Sequence, residues 1–325
     1  MTTHWLAVAV PTPAHSGLGE PLTYRAEAPL PPGSIVRVPL GAREVLGVVW
    51  GEAAAPEPAL AAQVRPIAGS FDGLAPLGDD WRQLIAFTAR YYQRALGEVA
   101  LAALPPQLRT LSGTQMARRL KRQRDAALDA AAVAIENEAL TADQARAVAR
   151  IEQEAGPFLL FGTTGSGKTE VYMRAAARVL AAGPDAQVLV LVPEINLTPQ
   201  LLARFAARFR DAAVVSLHSG LTPAQRLGAW LAAHSGRARI VLGTRVAVLA
   251  SLPGLRLIVV DEEHDPSYKQ QEGARYSARD LALYRGKLSG AKVILGSATP
   301  SLESWHASTP SPDGPGRYQR LAMPR

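Results

Sequence analysis

Residues 162–169 have the types and the spacing of a loop that binds a polyphosphate. The string GTTGSGKT matches the pattern G-x-x-x-x-G-K-[ST], and the apolar run before it and the helix-like stretch after it argue against an accidental glycine loop. Glycines let the backbone curl so that its N–H groups face phosphate oxygens, and the following helix adds its positive end. We predict that Lys168 reaches the β- and γ-phosphates and that Thr169 ligates Mg²⁺. The predicted nucleotide-binding residues of this segment are Gly162, Thr163, Thr164, Gly165, Ser166, Gly167, Lys168 and Thr169.

An acidic string, DEEH at residues 261–264, supplies the carboxylates that such a loop needs for its metal ion. Asp261 ends an apolar run, where a strand would hold it beside the nucleotide as a second Mg²⁺ ligand. Glu262 follows directly and can polarise a water molecule for attack on the γ-phosphate. The adjacent acids favour hydrolysis over transfer to a small molecule, and an exposed acidic turn is the alternative. The predicted catalytic residues are Lys168, Asp261 and Glu262, and the predicted metal ligands are Thr169 and Asp261.

The region from 139 to 325 is predicted to form an α/β domain around these two strings. Six unbroken apolar runs alternate with helix-like stretches: FLLFG, QVLVLVP, AVVSLH, ARIVLGT, LRLIVVDE and KVILGSAT. Unbroken apolar strands between helices indicate a parallel sheet that is covered on both faces. Ligands of such sheets bind at the carboxyl ends of the strands, where both strings lie. We expect the last strand to end at Thr299.

Residues 1–104 are predicted to form a small β-rich domain that ends in a helix. Four short runs, HWLAVAV, PLTYRAE, GSIVRVPLG and EVLGVVWG, are separated by proline and glycine turns. The stretch 79–104 predicts one helix, which Asp79 or Asp80 would cap and two following prolines would stop. Its buried face should consist of residues at helical spacing, namely Trp81, Leu84, Ile85 and Thr88.

A basic tract dominates the predicted linker between these domains, residues 105–138. Between residues 105 and 125 there are six basic residues and one acid, a net charge of +5. Such a tract suits a polyanion such as nucleic acid, but a solvated helix face is an equally good interpretation. An Ala/Glu-rich stretch that looks helical completes the linker. The basic residues of the tract are Arg109, Arg118, Arg119, Lys121, Arg122 and Arg124.

The composition excludes several classes of protein. The 325-residue chain contains no cysteine, so disulfides and cysteine–zinc sites are excluded within it. A hydrophobic content of 48% indicates a globular chain and not a disordered one. No apolar run reaches the roughly 18 residues of a membrane span, and the amino terminus lacks the basic region of a signal peptide. We therefore expect a cytoplasmic protein without a membrane partner.

Taken together, the strings of the second region resemble a known family. GTTGSGKTE, DEEH and GSATP, in this order and each after an apolar run, look like motifs I, II and III of superfamily 2 helicases. The longer strings LVPEINLTPQ, LHSGLTPAQR, VLGTRVAVLA and DEEHDPSYKQQEGARYSARDLALYR are similar to the family of primosomal protein N′, the replication-restart helicase PriA. The resemblance is strong over about 140–308 and weaker over the β-rich start, which looks like the family's 3′-end DNA-binding domain.

The resemblance implies an ATP-dependent 3′→5′ DNA helicase of replication restart. Residues 139–325 would form the first RecA-like helicase lobe, with ATP and Mg²⁺ as cofactors. Forked or single-stranded DNA, primosome proteins and single-stranded-DNA-binding protein would be its partners. By similarity Gln144 would contact adenine. The residues expected to contact DNA or to couple it to the nucleotide are Thr244, Arg245, Tyr268, Lys269, Arg275, Tyr276, Ser297 and Thr299, the two tyrosines by stacking on bases.

The sequence departs from the family pattern at several points. Ala274 stands where a tryptophan is common, and Thr23 stands where an aspartate often contacts the DNA 3′ end. The linker is too short for the family's winged-helix domain. The second motor lobe, its arginine-bearing motif and the cysteine-rich zinc module are absent. We therefore expect a fragment, the amino-terminal portion of such a helicase, which binds ATP and DNA without unwinding duplex.

Two alternatives stay open at this point. The first is a DNA-structure-binding protein that uses ATP as a switch and does not translocate. The second is an unrelated P-loop kinase or GTPase. The adjacent acids of DEEH, the GSATP string and the lack of a guanine-reading Asn-Lys-x-Asp string argue against the second.

Overall fold

The computed structural model describes residues 3–12, 21–125, 139–209, 212–311, 314 and 316–323. Within these ranges it contains a five-stranded sheet followed in the chain by a seven-stranded sheet. This arrangement confirms the predicted fold class, a parallel-sheet α/β lobe preceded by a small β-rich domain.

The amino-terminal sheet is antiparallel, with the strand order β2-β1-β4-β3-β5. Its four long strands coincide with the four predicted runs, whereas the two-residue β5 is too short to leave a pattern. Alternate residues of β3 and β4 enter two different apolar clusters, one on each face of the sheet. The strands are β1 (His4–Ala9), β2 (Leu22–Ala26), β3 (Ile35–Leu40), β4 (Arg43–Glu52) and β5 (Gly69–Ser70).

Among the described residues, four α-helices complete this part of the chain, and two of them replace the single helix predicted over 79–104. The first long helix ends at Tyr91, Gln93 adopts a left-handed φ of 55°, and a second helix begins at Leu96. The break lets the second helix turn back, and Gly97 lies so close to β1 that a Cβ would be 1.7 Å from the carbonyl oxygen of Val10. The helices are α1 (Pro58–Ala61), α2 (Asp79–Tyr91), α3 (Leu96–Ala102) and α4 (Gly113–Asp125).

The details of α2 both confirm and correct the sequence prediction. Its predicted apolar face is buried, with Trp81, Leu84, Ile85 and Thr88 at most 2% exposed. The capping prediction is wrong, because Gly78 is the N-cap residue and the two aspartates lie in the first turn. There they still favour the positive end of the helix.

The seven-stranded sheet is parallel throughout, in the order β12-β6-β11-β10-β7-β9-β8. Six strands coincide with the six predicted runs. The expectation that the last strand ends at Thr299 is wrong, because β12 pairs with β6 at the sheet edge. The strands are β6 (Phe158–Gly162), β7 (Gln187–Leu191), β8 (Ala213–Leu217), β9 (Ala238–Gly243), β10 (Leu255–Val260), β11 (Lys292–Ser297) and β12 (Gln319–Met323).

Helices cover both faces of this sheet, because alternate strand residues enter two separate apolar clusters. Buried residues of α5, α6 and α7 pack in one cluster, and those of α8 and α9 pack in the other. The helices are α5 (Ala142–Gln153), α6 (Lys168–Ala182), α7 (Pro199–Arg208), α8 (Pro223–His234), α9 (Ala278–Ser289) and α10 (Leu302–Ala307).

The two sheets share one apolar core. The cluster that contains Leu46 and Val48 of the amino-terminal sheet continues through α2 to α8 and α9. The indole Nε1 of Trp81 donates a 2.8 Å hydrogen bond to the carbonyl of Leu249, and the ring of Phe87 stacks on Tyr284 at 3.8 Å. The amino-terminal part is therefore packed directly on the parallel-sheet lobe. The predicted domain boundaries at 104/105 and 138/139 stay predictions.

Candidate nucleotide site

The predicted phosphate loop, residues 162–169, joins the end of β6 to the start of α6. Gly165 and Gly167 both have a φ of +83°, a left-handed conformation that residues with a side chain rarely adopt. A Cβ on Gly162 would lie 2.6 Å from Ser166 Oγ, so this glycine allows the loop to close on itself. Each of the three glycines of the loop is therefore required by the local backbone conformation or by a close approach.

The side chains of the phosphate loop fit a polyphosphate. Lys168 is only 7% exposed, and its Nζ donates to the carbonyl oxygens of Gly162 at 2.9 Å and Thr163 at 3.4 Å. The Oγ of Ser166 is buried and lacks a hydrogen-bond partner among the described residues. A buried polar atom without a partner is costly, and a phosphate oxygen is a suitable acceptor for it. Thr163, Thr164 and Gly165 are exposed at the loop's tip.

The predicted metal ligand Asp261 lies two strands away from the loop, directly after β10. The hydroxyl of Tyr172, from α6, donates to Asp261 Oδ1 at 3.0 Å. To reach it the tyrosine passes over the intervening strand β11 at Gly296, where a Cβ would lie 1.5 Å from the hydroxyl. Burial raises the pKa of Asp261, and the Tyr172 hydrogen bond and the nearby charge of Lys168 oppose that rise. Burial, and then the charge of Asp261, raises the pKa of Tyr172 well above 10, so the hydroxyl stays protonated as a donor.

The acids of the DEEH string separate into different surroundings. Glu262 has a φ of 46°, which is unusual for a residue with a side chain and is typical of strained positions at functional sites. Through this turn Asp261 and Glu262 remain partly exposed, whereas Glu263 is buried. The backbone N–H of Glu263 donates to the carbonyl of Gly296 at 3.0 Å, which fixes the turn against β11.

Glu263 has a function that the sequence did not reveal. Its Oε1 accepts the backbone N–H of Ser301 at 2.7 Å, and its Oε2 accepts hydroxyls of Ser301 and Ser304 at 3.1 and 2.8 Å. Arg279 Nη1 lies 3.3 Å from the same carboxylate. This buried network ties the acidic string to the start of α10. The sequence could not show that Glu263 is buried, because it stands among other polar residues and its hydrogen-bond partners are distant in the chain.

His264 connects the acidic string to the predicted coupling residues of GSATP. Its Nδ1 lies 2.8 Å from Ser297 Oγ and 3.6 Å from Glu262 Oε2. Its Nε2 lies 3.3 Å from Thr299 Oγ1, and the backbone N–H of Thr299 donates to Ser297 Oγ at 3.0 Å. One imidazole thus joins the predicted base to both hydroxyl residues after β11.

Gln144 lies beside the phosphate loop and forms a capping box with Thr141 at the start of α5. Its Oε1 accepts the backbone N–H of Thr141 at 2.9 Å. Its amide is close enough to Gly167 that a Cβ there would lie 2.2 Å from Gln144 Nε2. The placement next to the loop suits nucleotide contact, while the adenine contact itself stays a prediction.

Thr244 and Arg245 follow β9 at the same edge of the sheet. Thr244 is buried, and its Oγ1 has no hydrogen-bond partner in the part of the chain that the structure describes. Arg245 Nε donates to Gln270 Oε1 at 2.7 Å, and its Nη1 donates to the carbonyl of Ser267 at 3.2 Å. Arg245 therefore holds the residues that follow the acidic string, and a DNA contact of this pair stays a prediction.

The structure corrects the stacking prediction for the segment 266–277. Tyr268 and Tyr276 are 2% and 6% exposed, so neither ring presents a face to a base. Tyr268 instead donates its hydroxyl to the backbone carbonyl of Asp261 at 2.6 Å. Burial raises the pKa of Tyr276 to about 12. Lys269 and Arg275 are exposed on the same segment and remain available to an anion.

The segment 266–277 also contacts the amino-terminal part of the chain. The backbone N–H of Ser277 donates to the hydroxyl of Tyr92 at 3.1 Å. The ammonium of Lys269 lies 5.4 Å from the centroid of the Tyr92 ring. One segment thus touches both Asp261 and the end of α2.

The basic tract lies partly on α4. Arg109, in a short 3-10 helix before α4, and Arg118, Arg119 and Lys121, on α4, are exposed, whereas Met116 of α4 is buried. The tract is therefore helical over 113–125, whereas the Ala/Glu-rich stretch that was predicted to be helical, 126–138, lies outside the described residues. Binding of nucleic acid by the tract stays a prediction.

The described ranges hold neither a ready-made metal cluster nor a membrane span. No group of three or more His, Cys, Asp or Glu side chains within those ranges could hold a metal ion by itself. A Mg²⁺ ion bound between Thr169 and Asp261 needs no such group, because nucleotide phosphates and water supply the other ligands. Among the residues that the structure describes, no helix is long and apolar enough to cross a membrane.

Comparisons with known proteins identify two matched regions. Residues 141–307, about half of the chain, match the DEAD/DEAH box helicase family. Residues 7–105 match the 3′ DNA-binding domain family.

Curated relatives and a solved structure are similar to this chain as well. Replication restart protein PriA of Treponema pallidum is 36% identical over 316 residues, which cover 93% of this chain and 45% of the relative. PriA of Haemophilus influenzae is 49% identical over 166 residues, which cover 51% of this chain and 22% of the relative. The chain thus spans less than half the length of these relatives. The structure of RecG bound to a three-way DNA junction covers 75% of this chain and 30% of its own, with 20% identity and a TM-score of 0.43.

Proposed function

Because this chain belongs to the DEAD/DEAH box helicases and resembles replication restart protein PriA along most of its length, we propose that it hydrolyses ATP with Mg²⁺ and couples that reaction to DNA. The observation that supports this proposal most is the joining of the phosphate loop to the acidic string by a hydrogen bond from α6 to Asp261.

The phosphate loop would bind the nucleotide through its backbone N–H groups, the Lys168 ammonium and the buried Ser166 hydroxyl. Thr169 and Asp261 would hold Mg²⁺, which when bound neutralises charge on the β- and γ-phosphates. Gln144, beside Gly167, would contact the adenine. These groups lie on the loop, at the start of α6, on α5 in the case of Gln144, and directly after β10 in the case of Asp261.

Glu262 is the proposed general base. It is partly exposed directly after Asp261, and the left-handed turn at this residue gives its carboxylate different surroundings from those of its two neighbours. In this role it would take a proton from the attacking water. His264, which lies near Glu262, Ser297 and Thr299, would transmit the state of the γ-phosphate to the residues after β11.

DNA would contact the exposed cations of the segment 266–277 and of the basic tract. The segment's Tyr268 is bonded to the backbone of Asp261, so a strand held by Lys269 and Arg275 would act on the metal ligand. By analogy with PriA we propose 3′→5′ helicase activity in replication restart, with forked or single-stranded DNA, primosome proteins and single-stranded-DNA-binding protein as partners. Such a function belongs in the cytoplasm.

A nucleotide panel tests this proposal. The purified chain is given ATP, GTP or CTP with Mg²⁺, with and without forked DNA. We expect ATP to be the preferred substrate and forked DNA to accelerate its hydrolysis. Equal use of GTP, or turnover that DNA does not change, would contradict the proposal and favour a P-loop enzyme of another class.

The second candidate is an ATP-switched DNA-binding protein that does not translocate. The hydrogen bond from Tyr268 to the backbone of Asp261 supports this second candidate equally well. Through that bond, DNA held by the segment 266–277 could act on the nucleotide site without any movement of the protein along a strand. A strand-displacement assay on the same fork separates the two. Duplex unwinding supports the helicase, and nucleotide-dependent DNA affinity without unwinding supports the switch.

A further inference from the structure

Tyr172 connects the phosphate-loop helix to the acidic string, and the family pattern of the sequence did not assign it a function. It lies one turn into α6, and its side chain is only 2% exposed. Its hydroxyl crosses β11 and donates to the carboxylate of Asp261 at 3.0 Å. The crossing is possible because β11 has Gly296 at this point, where any Cβ would overlap the hydroxyl oxygen.

Asp261 is held from several sides. Its backbone N–H donates to the carbonyl of Leu191 at 2.9 Å, and its backbone carbonyl accepts from Tyr268 at 2.6 Å. These two bonds fix the main chain, and the backbone N–H of Glu262 partly restricts the rotation of the carboxylate about its side-chain torsions. The Tyr172 hydroxyl restricts that rotation from the side of α6.

We propose that Tyr172 is a positioning residue that sets the orientation of the Asp261 carboxylate for Mg²⁺. This inference rests on the proposed function, because it assumes that the site binds a Mg²⁺ nucleotide. The hydroxyl orients the ligand as the outer partners of metal ligands commonly do, and removal of such partners costs about 10–100-fold in metal affinity or activity. Because Tyr172 lies on the phosphate-loop helix, the loop and the metal ligand keep a fixed spacing.

A packing function is the competing explanation. The ring lies in an apolar cluster between α6 and the sheet, and a phenylalanine would fill nearly the same volume. The two explanations differ in what the hydroxyl alone does. Packing predicts that removing one oxygen leaves the Mg²⁺ dependence unchanged, whereas positioning predicts a selective decrease in Mg²⁺ affinity.

The test compares the full chain with Tyr172→Phe and with Tyr284→Phe. Tyr284 lies on α9, stacks on Phe87 and packs in the other apolar cluster from Tyr172, so its substitution removes a tyrosine hydroxyl on the opposite face of the sheet from α6. Binding of fluorescent ADP is titrated with Mg²⁺, and also measured in EDTA. Steady-state ATP hydrolysis at rising Mg²⁺ gives a second readout, and thermal unfolding without ligand checks the fold.

We expect the Mg²⁺ midpoint of Tyr172→Phe to rise about 10–100-fold, with nucleotide affinity in EDTA unchanged. At saturating Mg²⁺ the maximal rate should return to that of the wild type. Tyr284→Phe should behave as the wild type in each measurement.

Two results would overturn the inference. One is a Mg²⁺ midpoint for Tyr172→Phe within about twofold of the wild type, less than the expected effect. The other is a defect that persists in EDTA, or a maximal rate that excess Mg²⁺ does not restore, since either result indicates a packing defect. A wild-type chain that binds no nucleotide at any Mg²⁺ concentration would instead contradict the proposed function itself, so the two failures are distinguishable.

Discussion

The phosphate loop and the segment 266–277 lie at the same edge of the parallel sheet but place their side chains in opposite ways. The loop exposes Thr163, Thr164 and Gly165 at its tip, and Gly165 and Gly167 adopt a left-handed backbone conformation. The segment buries both of its tyrosines and exposes mainly its charged and amide residues. The glycine pattern of the loop could therefore be recognised from the sequence, because it depends on backbone conformation. For the two tyrosines of the segment, the sequence could not show whether they contact a ligand or lie in the core.

The largest expected effect tests the loop side of this comparison. Replacing Lys168 by Ala should reduce ATP hydrolysis by at least about 100-fold, because it removes a charge that acts on the phosphates in a water-poor site. The fold should survive, since the apolar cores do not need this side chain. Steady-state hydrolysis measures the effect, and the exposed Lys287→Ala on α9 is the matched control. Turnover equal to that of the control variant would exclude the phosphate-loop assignment.

The next effect separates chemistry from binding on the acidic side. Glu262→Gln should retain ATP affinity but lose about 10²–10⁴-fold in turnover, because general bases contribute about that much. Equilibrium nucleotide binding and single-turnover hydrolysis are measured on the same sample. Glu303→Gln, an exposed acid in α10, is the control. An outright loss of ATP affinity would show that Glu262 holds the metal or the loop and is not the base.

The smallest expected effect concerns DNA affinity, and it tests the exposed cations of the segment 266–277 against those of the basic tract. Alanine at the five cations of the tract removes more charge than alanine at Lys269 and Arg275. The slope of log affinity against log salt should flatten by up to about 0.7–0.9 for each phosphate that the variant no longer neutralises, so the tract variant should change more than the pair. Fluorescence anisotropy with forked DNA at several salt concentrations measures both slopes. An unaltered slope for the tract would identify it as a solvated helix face. The five cations are Arg118, Arg119, Lys121, Arg122 and Arg124.

The sequence was most informative where local pattern and tertiary structure agree. Unbroken apolar runs predicted six strands of the parallel sheet, because both faces of that sheet are buried. The edge strand β12 was missed because its string QRLAM mixes polar and apolar residues, as a half-exposed strand does. The stretch 79–104 looked like one helix because nothing in its composition announces the left-handed turn at Gln93.

The parts of the site that were missed depend on contacts between distant segments. Tyr172 has the spacing of a core residue on α6, and only the glycine in β11, 124 positions further along the chain, lets its hydroxyl reach Asp261. Glu263 looks like one more acid in a polar string, yet hydroxyls from α10 and its N-cap satisfy it. Neither partner can be inferred from the local sequence.

The shared core of the two sheets has a consequence for how the chain divides. Similarity to known families separates it into an amino-terminal part and a helicase part, but the apolar cluster crosses that division through α2, and Trp81 donates to a carbonyl of the helicase part. The boundary between the two matched regions therefore does not coincide with a boundary of the apolar core. Expressed separately, the helicase part would expose to water the apolar surface that α2 covers, and aggregation would compete with its folding.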